Sequence, residues 1–303
     1  MKILLTGATG FLGSHIAEEL IEKGYDLLLT KRFNSNLWRC DTYKEKVVWI
    51  NTDISSWVNE AKEFKPDIII NSAWNGVSAA NREDWNVQVD NLIFQQKLLE
   101  LAKIVKVKKF IGIGSQAEYG EFNECIDETY PTKPTTAYGT VKLASSIIMS
   151  SFCEQHEIQW YWFRLFSCFG ERESDNWLIP STIKNMISKN SMDLTNGEQL
   201  YSYLYIKDVA KVFVSAVKSN ASDGIYHIAS EKSRSLKEIL ILIKENLNTD
   251  FKLNFGALPY RKNQSMINSS FMEKTKQAFG NIDTNDFNEK LIQTIAYYKE
   301  TYK

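Results

Sequence analysis

Cysteine and histidine are scarce in this chain, and what there is lies scattered. The four cysteines, at positions 40, 125, 153 and 168, form neither a CxxC redox pair nor paired zinc knuckles, so no disulfide framework or zinc module is expected. They read as reduced thiols of a cytoplasmic protein. His15, His156 and His227 are widely spaced and there is no HExxH, so no metal is expected, and a histidine-centred triad would need the fold to assemble one. An excess of one charge sign is also lacking. Lys plus Arg number 36 against 37 Asp plus Glu, a formal net charge of -1 that supplies no field to gather nucleic acid or anionic lipid. No apolar run approaches the ~20 residues that a bilayer crossing needs, and Ile3, Leu4 and Leu5 are too few for a secretory core. Neither a nucleic-acid nor a membrane partner is expected. No repeat, low-complexity tract or Gly/Ser linker divides the chain. What remains is a composition 44% hydrophobic and 24% charged over 303 residues, enough for a substantial buried core.

Short apolar runs alternate with longer amphipathic stretches through the first half, the pattern of a doubly wound α/β parallel sheet. Strands are expected at Lys2 to Thr6, Asp26 to Thr30, Val47 to Ile50, Asp67 to Asn71, Lys109 to Gly114 and Gln159 to Phe166. Leu12 to Lys23 has helical apolar spacing, with Gly24 placed for a left-handed C-cap. Asn91 to Lys103 and Ala137 to Phe152 are further helices. After about Phe166 the alternation becomes irregular, with Pro180 and a turn-like Asn196-Gly197. A dinucleotide-binding domain over 1–166 is expected, followed over 167–303 by a smaller mixed α/β region, mainly substrate-binding, with some segments returning to the first.

Between the first strand and the first helix stands Thr6-Gly7-Ala8-Thr9-Gly10-Phe11-Leu12-Gly13, a GxxGxxG. Backbone N–H groups and a helix N-terminus there can receive a pyrophosphate, as in a Rossmann-like fold. Gly7 would permit the tight turn, Gly10 the close approach of phosphate, and Gly13 the contact of helix with strand. Thr9, Phe11 and Leu12 complete the loop. The second strand ends in Leu29-Thr30-Lys31-Arg32, with two cations where an Asp or Glu commonly meets ribose hydroxyls. Lys31 and Arg32 therefore favour a ribose 2′-phosphate, NADP over NAD, unless they form only a solvated turn.

Tyr138 and Lys142 form a YxxxK, which puts both on one face of a helix with Cβ atoms ~5–6 Å apart. A phenol titrates near pH ~10, so a neighbouring ammonium is needed to favour phenolate nearer neutrality. Lys142 is expected to supply it. Ser115 ends a parallel strand, where ligands of such folds bind, and reads as the third catalytic group.

In their order and spacing these motifs resemble the extended short-chain dehydrogenase/reductase family, specifically its nucleotide-sugar epimerases, dehydratases and reductases, over nearly the whole chain. The resemblance implies that Tyr138 donates or accepts the proton, Ser115 bonds the reacting oxygen, and Lys142 modifies the phenol and binds the nicotinamide ribose. It implies a cofactor contact at Asp53-Ile54, with a helix N-cap as the other reading of Asp53. Asn71-Ser72-Ala73 is similar to the segment beside the nicotinamide ribose, giving Ser72 and Ala73 as contacts. Asn91 matches a helix Asn that steadies the site backbone, or is a plain cap. A homodimer through two helices, here Asn91 to Lys106 and Ala137 to Glu154, is also implied.

Family dehydratases carry an Asp-Glu pair directly after the catalytic Ser or Thr, because elimination needs a further acid and base. Here Gln116 and Ala117 stand there, which disfavours 4,6-dehydration and leaves Gln116 as a substrate contact. Gly114-Ser115-Gln116-Ala117-Glu118-Tyr119-Gly120 resembles the branch that reduces 4-keto groups. The expected activity is NADPH- or NADH-dependent reduction of a nucleotide-activated 4-keto sugar. An NAD-dependent 4-epimerase is the alternative, and a non-catalytic dinucleotide sensor the alternative of another class. Arg164-Leu165-Phe166-Ser167-Cys168-Phe169-Gly170 resembles RxFNxYG, with Ser167 in place of the Asn that touches the sugar diphosphate. Trp177 and Leu178 fall in the segment that reaches the nucleotide, where Trp177 is either a base-stacking ring or a core plug. Tyr201 replaces a diphosphate-binding Arg, and Arg261 becomes the diphosphate ligand of choice, a surface salt bridge being its other reading.

Overall fold

Ile3-Leu4-Leu5, Leu27-Leu28-Leu29 and Ile68-Ile69-Ile70 are apolar at consecutive positions. Successive side chains leave a strand on opposite faces, so such runs are satisfied only by a sheet covered on both sides. The computed structural model, which describes residues 1–247, 250–260, 264–281 and 286–302, has that architecture. Its strands are β1 (Lys2–Thr6), β2 (Asp26–Lys31), β3 (Val48–Asn51), β4 (Ile68–Asn71), β5 (Lys109–Ser115), β6 (Gln159–Leu165) and β7 (Gly224–Ile228). They lie in the order β7-β6-β5-β4-β1-β2-β3, all parallel. Ile3, Leu5, Leu27, Leu29, Ile68 and Ile70 point into one core. Leu4, Leu28, Ile69, Phe110, Trp160 and Trp162 point into the other.

Helices α1 (Phe11–Glu22), α2 (Trp57–Phe64), α3 (Trp85–Val105), α4 (Ala137–Gln155), α5 (Leu178–Ser188) and α6 (Ile206–Lys218) cover the sheet or extend from it. Helices α2, α3 and α4 bury Trp57, Leu98, Leu99 and Met149 in the second core. Helices α1 and α6 pack on each other in the first. The chain leaves α1 through Gly24 at φ +75°, the left-handed residue its sequence position suggested. A second, four-stranded sheet is made by Arg234–Ser235, Leu200–Tyr201, Ile267–Ser270 and Glu124–Ile126, so a strand from within 1–166 pairs with strands from beyond it.

Several elements depart from the sequence reading, among them the unexpected helix α2 and strand Glu124–Ile126. The sheet has seven strands, because Gly224–Ile228 joins its edge beside β6, with Gly224 opposite Tyr161 and Ile228 opposite Leu165. The third helix starts at Trp85, six residues before the expected Asn91, where the Asp84 carboxylate accepts from the N–H groups of Asn86 and Val87 at 3.0 and 3.2 Å. Its first turns were hidden because Trp85, Val89 and Ile93 face outward, so apolar spacing there does not report a buried stripe.

At the opposite end of β5 from Ser115, buried Lys109 donates to the carbonyls of Ala216, Val217 and Ser219 at 2.7, 3.2 and 2.6 Å, capping α6. Lys109→Met should lower unfolding stability by about 1–3 kcal/mol, the cost of stranding buried acceptors. Urea unfolding measures it. An unchanged midpoint would mean that α6 does not need this cap.

Candidate active site

The strand order reverses between β1 and β4, and the segments that leave their C-terminal ends diverge to open a crevice. Three backbone segments meet at its floor. Gly7 has φ +70°, and a Cβ there would lie 2.6 Å from the Ala73 nitrogen and the Ser72 carbonyl carbon. A side chain on Gly13 would overlap the Gly7 carbonyl, so α1 can dock on the turn only as glycine. Gly10 donates to the Gly7 carbonyl at 2.9 Å, and that oxygen, 3.2 Å away, is the one atom its own Cβ would approach. Thr6 Oγ1 ties the floor together, donating to Asn71 Oδ1 at 2.7 Å and accepting from the Ala73 N–H at 3.1 Å. Helix α1 begins without a side-chain cap and without an acid in its first turn, so its positive end faces the crevice.

The resulting cleft, of about 380 Å³, runs from Thr9, Ser72 and Ala73 to Lys31, Arg32 and Asp53. Asp53 does not cap α2, whose N-cap is Ser56; its carboxylate accepts instead from the Phe33 N–H at 2.8 Å. Ile54 does not line the cleft and is largely exposed. Phe11 and Leu12 bring backbone to the helix start while their side chains pack against the core. Asn91 lines the cleft from α3 and clamps the segment after β4. Its Oδ1 accepts from the Asn75 N–H at 2.7 Å, and its Nδ2 donates to the Asn75 carbonyl at 3.1 Å.

Helix α4 presents Tyr138 and Lys142 beside Ser115, where β5 ends. Thr136 caps it by accepting from the Gly139 N–H at 3.0 Å, and the Tyr138 N–H donates to the Arg82 carbonyl at 2.9 Å. Tyr138 is 7% and Lys142 4% exposed. The Lys142 ammonium donates to the Ile113 carbonyl at 2.6 Å. It lies 3.6 Å from the centroid of the Trp74 ring and 6.0 Å from those of Tyr138 and Trp162.

The electrostatics differ from the expectation in one respect. Burial holds the Tyr138 phenol above its ordinary value, and what opposes burial is the Arg82 guanidinium, 4.7 Å over the ring, together with Ser115. Burial also pushes Lys142 down to about 7, with Glu118 acting in the other direction. A dry cage taxes the lysine charge and keeps the phenol protonated, so the expected acidification by Lys142 is not what dominates.

On the outer side, Arg82 also lies 5.8 Å over the ring of Trp177, which is 42% exposed at the N-cap of α5 and therefore no core plug. Leu178 opens α5 and is half-buried. Gln116 starts the turn after Ser115, and Ser167 sits in a short strand (Ser167–Phe169) paired with Tyr203–Tyr205; both are half-buried. Tyr201 accepts from Gln264 Nε2 at 3.3 Å. Arg261 lies outside the described residues. Reading the sequence missed Arg82, which sits in a stretch without periodicity, and Trp74, which directly follows Asn71-Ser72-Ala73. It also missed Glu118, although that residue is part of the Ser115 string.

A family model described as "NAD dependent epimerase/dehydratase family" matches residues 3–248. The chain is 27% identical over 285 residues to CDP-abequose synthase of Salmonella muenchen, an alignment covering 90% of this chain and 91% of that protein. Its fold is similar to that of UDP-glucose 4-epimerase from Thermotoga maritima, solved with UDP-glucose, at a TM-score of 0.89 and 21% identity over 100% of both chains. It is similar also to UDP-glucuronic acid 4-epimerase from Bacillus cereus, solved with UDP-glucuronic acid and NAD, at a TM-score of 0.87 and 22% identity over 100% of both chains.

A lysine whose folded-state value is depressed to about 7 has lost its proton over a range, up to about pH 10, in which the unfolded chain still binds one. Stability from this residue is therefore lowest below pH 7 and recovers as pH rises. Relative to Lys142→Met, the wild-type protein should gain unfolding free energy between pH 7 and about pH 10 in urea titrations. A difference independent of pH would mean that the ammonium persists throughout.

Proposed function

The chain belongs to the NAD-dependent epimerase/dehydratase family, and on that premise we propose that it reduces the 4-keto group of a nucleotide-activated sugar, with NADP preferred over NAD. It is an oxidoreductase of the extended short-chain dehydrogenase/reductase type. The cleft fits a dinucleotide: the glycine cradle admits no Cβ at Gly7 or Gly13, and an uncapped helix end faces it. Gly7, Thr9, Gly10 and Gly13 would hold the pyrophosphate with the backbone of Phe11 and Leu12, while Ser72, Ala73, Asn91 and Lys142 would hold the nicotinamide half. Bound there, the cofactor supplies the hydride.

The observation that carries the reductase reading is the placement of the buried Tyr138 phenol beside Ser115, where burial raises it above its ordinary value. Reduction of a ketone leaves an alkoxide that needs a proton, and a protonated phenol is the group suited to give it. Ser115 would hold the carbonyl oxygen, and Gln116, Ser167, Trp177, Leu178 and Arg261 would line the path of the sugar and its nucleotide. The preference for NADP rests on Lys31 and Arg32 at the cleft rim, where the nearby acid, Asp53, is engaged by the Phe33 N–H. A 4-epimerase is the second reading, favoured by the fold shared with 4-epimerases. A dinucleotide-binding domain over 1–166 and a substrate-binding region over 167–303 suit either reaction. A homodimer is favoured by Val89, Ile93, Ile147 and Ile148, exposed on α3 and α4, and a cytoplasmic setting by four free thiols.

Purified protein incubated with UDP-, dTDP-, CDP- and GDP-linked 4-keto sugars should oxidise NADPH in step with product. Interconversion of hydroxyl epimers without net cofactor turnover would overturn this in favour of the epimerase. Tyr138→Phe should lower kcat by roughly 10²–10⁴-fold with dinucleotide affinity retained; full activity in that variant would remove the proton route. The double variant Lys31→Ala/Arg32→Ala should weaken NADPH binding by at least ~10-fold, from the loss of charge-assisted bonds, and leave NADH binding unaltered. Equal losses for both cofactors would remove the 2′-phosphate site.

A further inference from the structure

Beneath Ser115 and Lys142 lies a charge that the proposed chemistry does not use. Glu118 is 0% exposed. Its Oε1 accepts from the Ser115 N–H at 2.8 Å and from the Trp162 indole at 3.0 Å. Its Oε2 accepts from Arg164 Nε at 2.7 Å, and that guanidinium in turn rests 4.4 Å over the Tyr119 ring. Ser115 returns the contact, its side chain accepting from the Glu118 backbone in a reciprocal capping box, and its Oγ also accepts from the Ala117 N–H at 3.2 Å.

The sheet is adapted to seat this carboxylate. A side chain on Gly114 would overlap Glu118 Oε1 and the Trp162 indole nitrogen, and one on Gly112 would overlap the Trp162 ring. Two strand positions that ordinarily favour bulk are glycine, which weakens a strand, so that an indole and a carboxylate can lie against β5. Stability alone does not explain the arrangement, because well-packed apolar residues replace buried ion pairs at no loss or with a gain. What a hydrophobic substitute could not do is hold the Ser115 backbone and oppose a positive charge.

That charge is Lys142. The groups packed around its ammonium are the Ile113 carbonyl of β5, the Trp74 ring after β4, the Trp162 ring of β6 and Tyr138 on its own helix; Glu118, which accepts from the Trp162 indole, is the anion that acts on it from beyond contact.

We propose that Glu118 is a positioning residue for the reaction: without touching substrate, it fixes Ser115 through the backbone and, bonded to the Trp162 indole that Lys142 faces, is the buried anion that favours the charged form of that lysine. The inference rests on the roles given to Ser115 and Lys142 above. The test compares wild type, Glu118→Gln, Glu118→Asp and the double variant Glu118→Gln/Arg164→Met, the last removing both charges so that no guanidinium is stranded. Glu118→Gln should lower kcat roughly 10²-fold with the KM of the sugar little changed, as for a misplaced catalytic group. The alkaline limb of its pH profile should move to lower pH, because Lys142 surrenders its proton sooner, and Glu118→Asp should move the limb back. The double variant should regain the melting temperature lost in the single one and remain slow. Recovery of kcat together with melting temperature would make Glu118 purely structural and overturn the proposal. The midpoint of NADPH affinity against pH reads Lys142 independently of turnover: it should fall in Glu118→Gln, and an unmoved midpoint also overturns the proposal. Absence of turnover with every 4-keto sugar in the wild type would instead count against the reductase reading, leaving that binding midpoint to decide on Glu118.

Discussion

A positive charge held away from water is the constraint around which this site is organised. Taking an ammonium out of solvent costs several kcal/mol even after relaxation, and Lys142 is nearly inaccessible. It is tolerated because a carbonyl and two indole faces converge on it from three different segments, with the Glu118 carboxylate acting on it from beyond contact. Cations over aromatic faces are stabilised when desolvated, and the 3.6 Å approach to Trp74 is the tightest cation–ring contact in the cluster. The same dryness keeps the phenol of Tyr138 protonated, so one property of the site sets the protonation of both groups.

The parallel sheet explains how three segments reach one spot. Strands β4, β5 and β6 are neighbours and end at the same edge, so Trp74, Ser115 and the last residues of β6 emerge together. Adjacent to them the order reverses at β1, and the glycine turn brings α1 against the backbone after β4. The cleft and the Ser115, Tyr138 and Lys142 cluster therefore share a wall, the Ser72-Ala73-Trp74 segment, whose next residue is clamped by Asn91. The glycines serve two different ends. Gly7 and Gly13 let backbones touch, whereas Gly112 and Gly114 make room for side chains of β6 and the following turn.

Much of this was legible in the sequence. Runs such as Ile68-Ile69-Ile70 declare a sheet buried on both faces, and GxxGxxG and YxxxK declare its two chemical ends, because each depends on spacing along one segment. What stayed hidden depends on contacts between segments. Arg82 meets Tyr138 only after a non-repetitive stretch folds back over α4, and nothing at positions 77 to 84 signals it. Strand Gly224–Ile228 escaped because it mixes Tyr226 and His227 into a short run far from its partner in sequence. The start of α3 escaped for the opposite reason, since its first apolar residues point outward. The electrostatic sign at Tyr138 could not be read from the YxxxK spacing, which fixes the distance between two groups and says nothing of how much water surrounds them.

Arg82 spans the gap between Tyr138 and Trp177, with its guanidinium over both rings and its carbonyl bonded to the first turn of α4. The guanidinium is therefore the positive charge on the outer side of the phenol. A cation in that place attracts an anionic group beside Tyr138 more than a neutral one of the same shape.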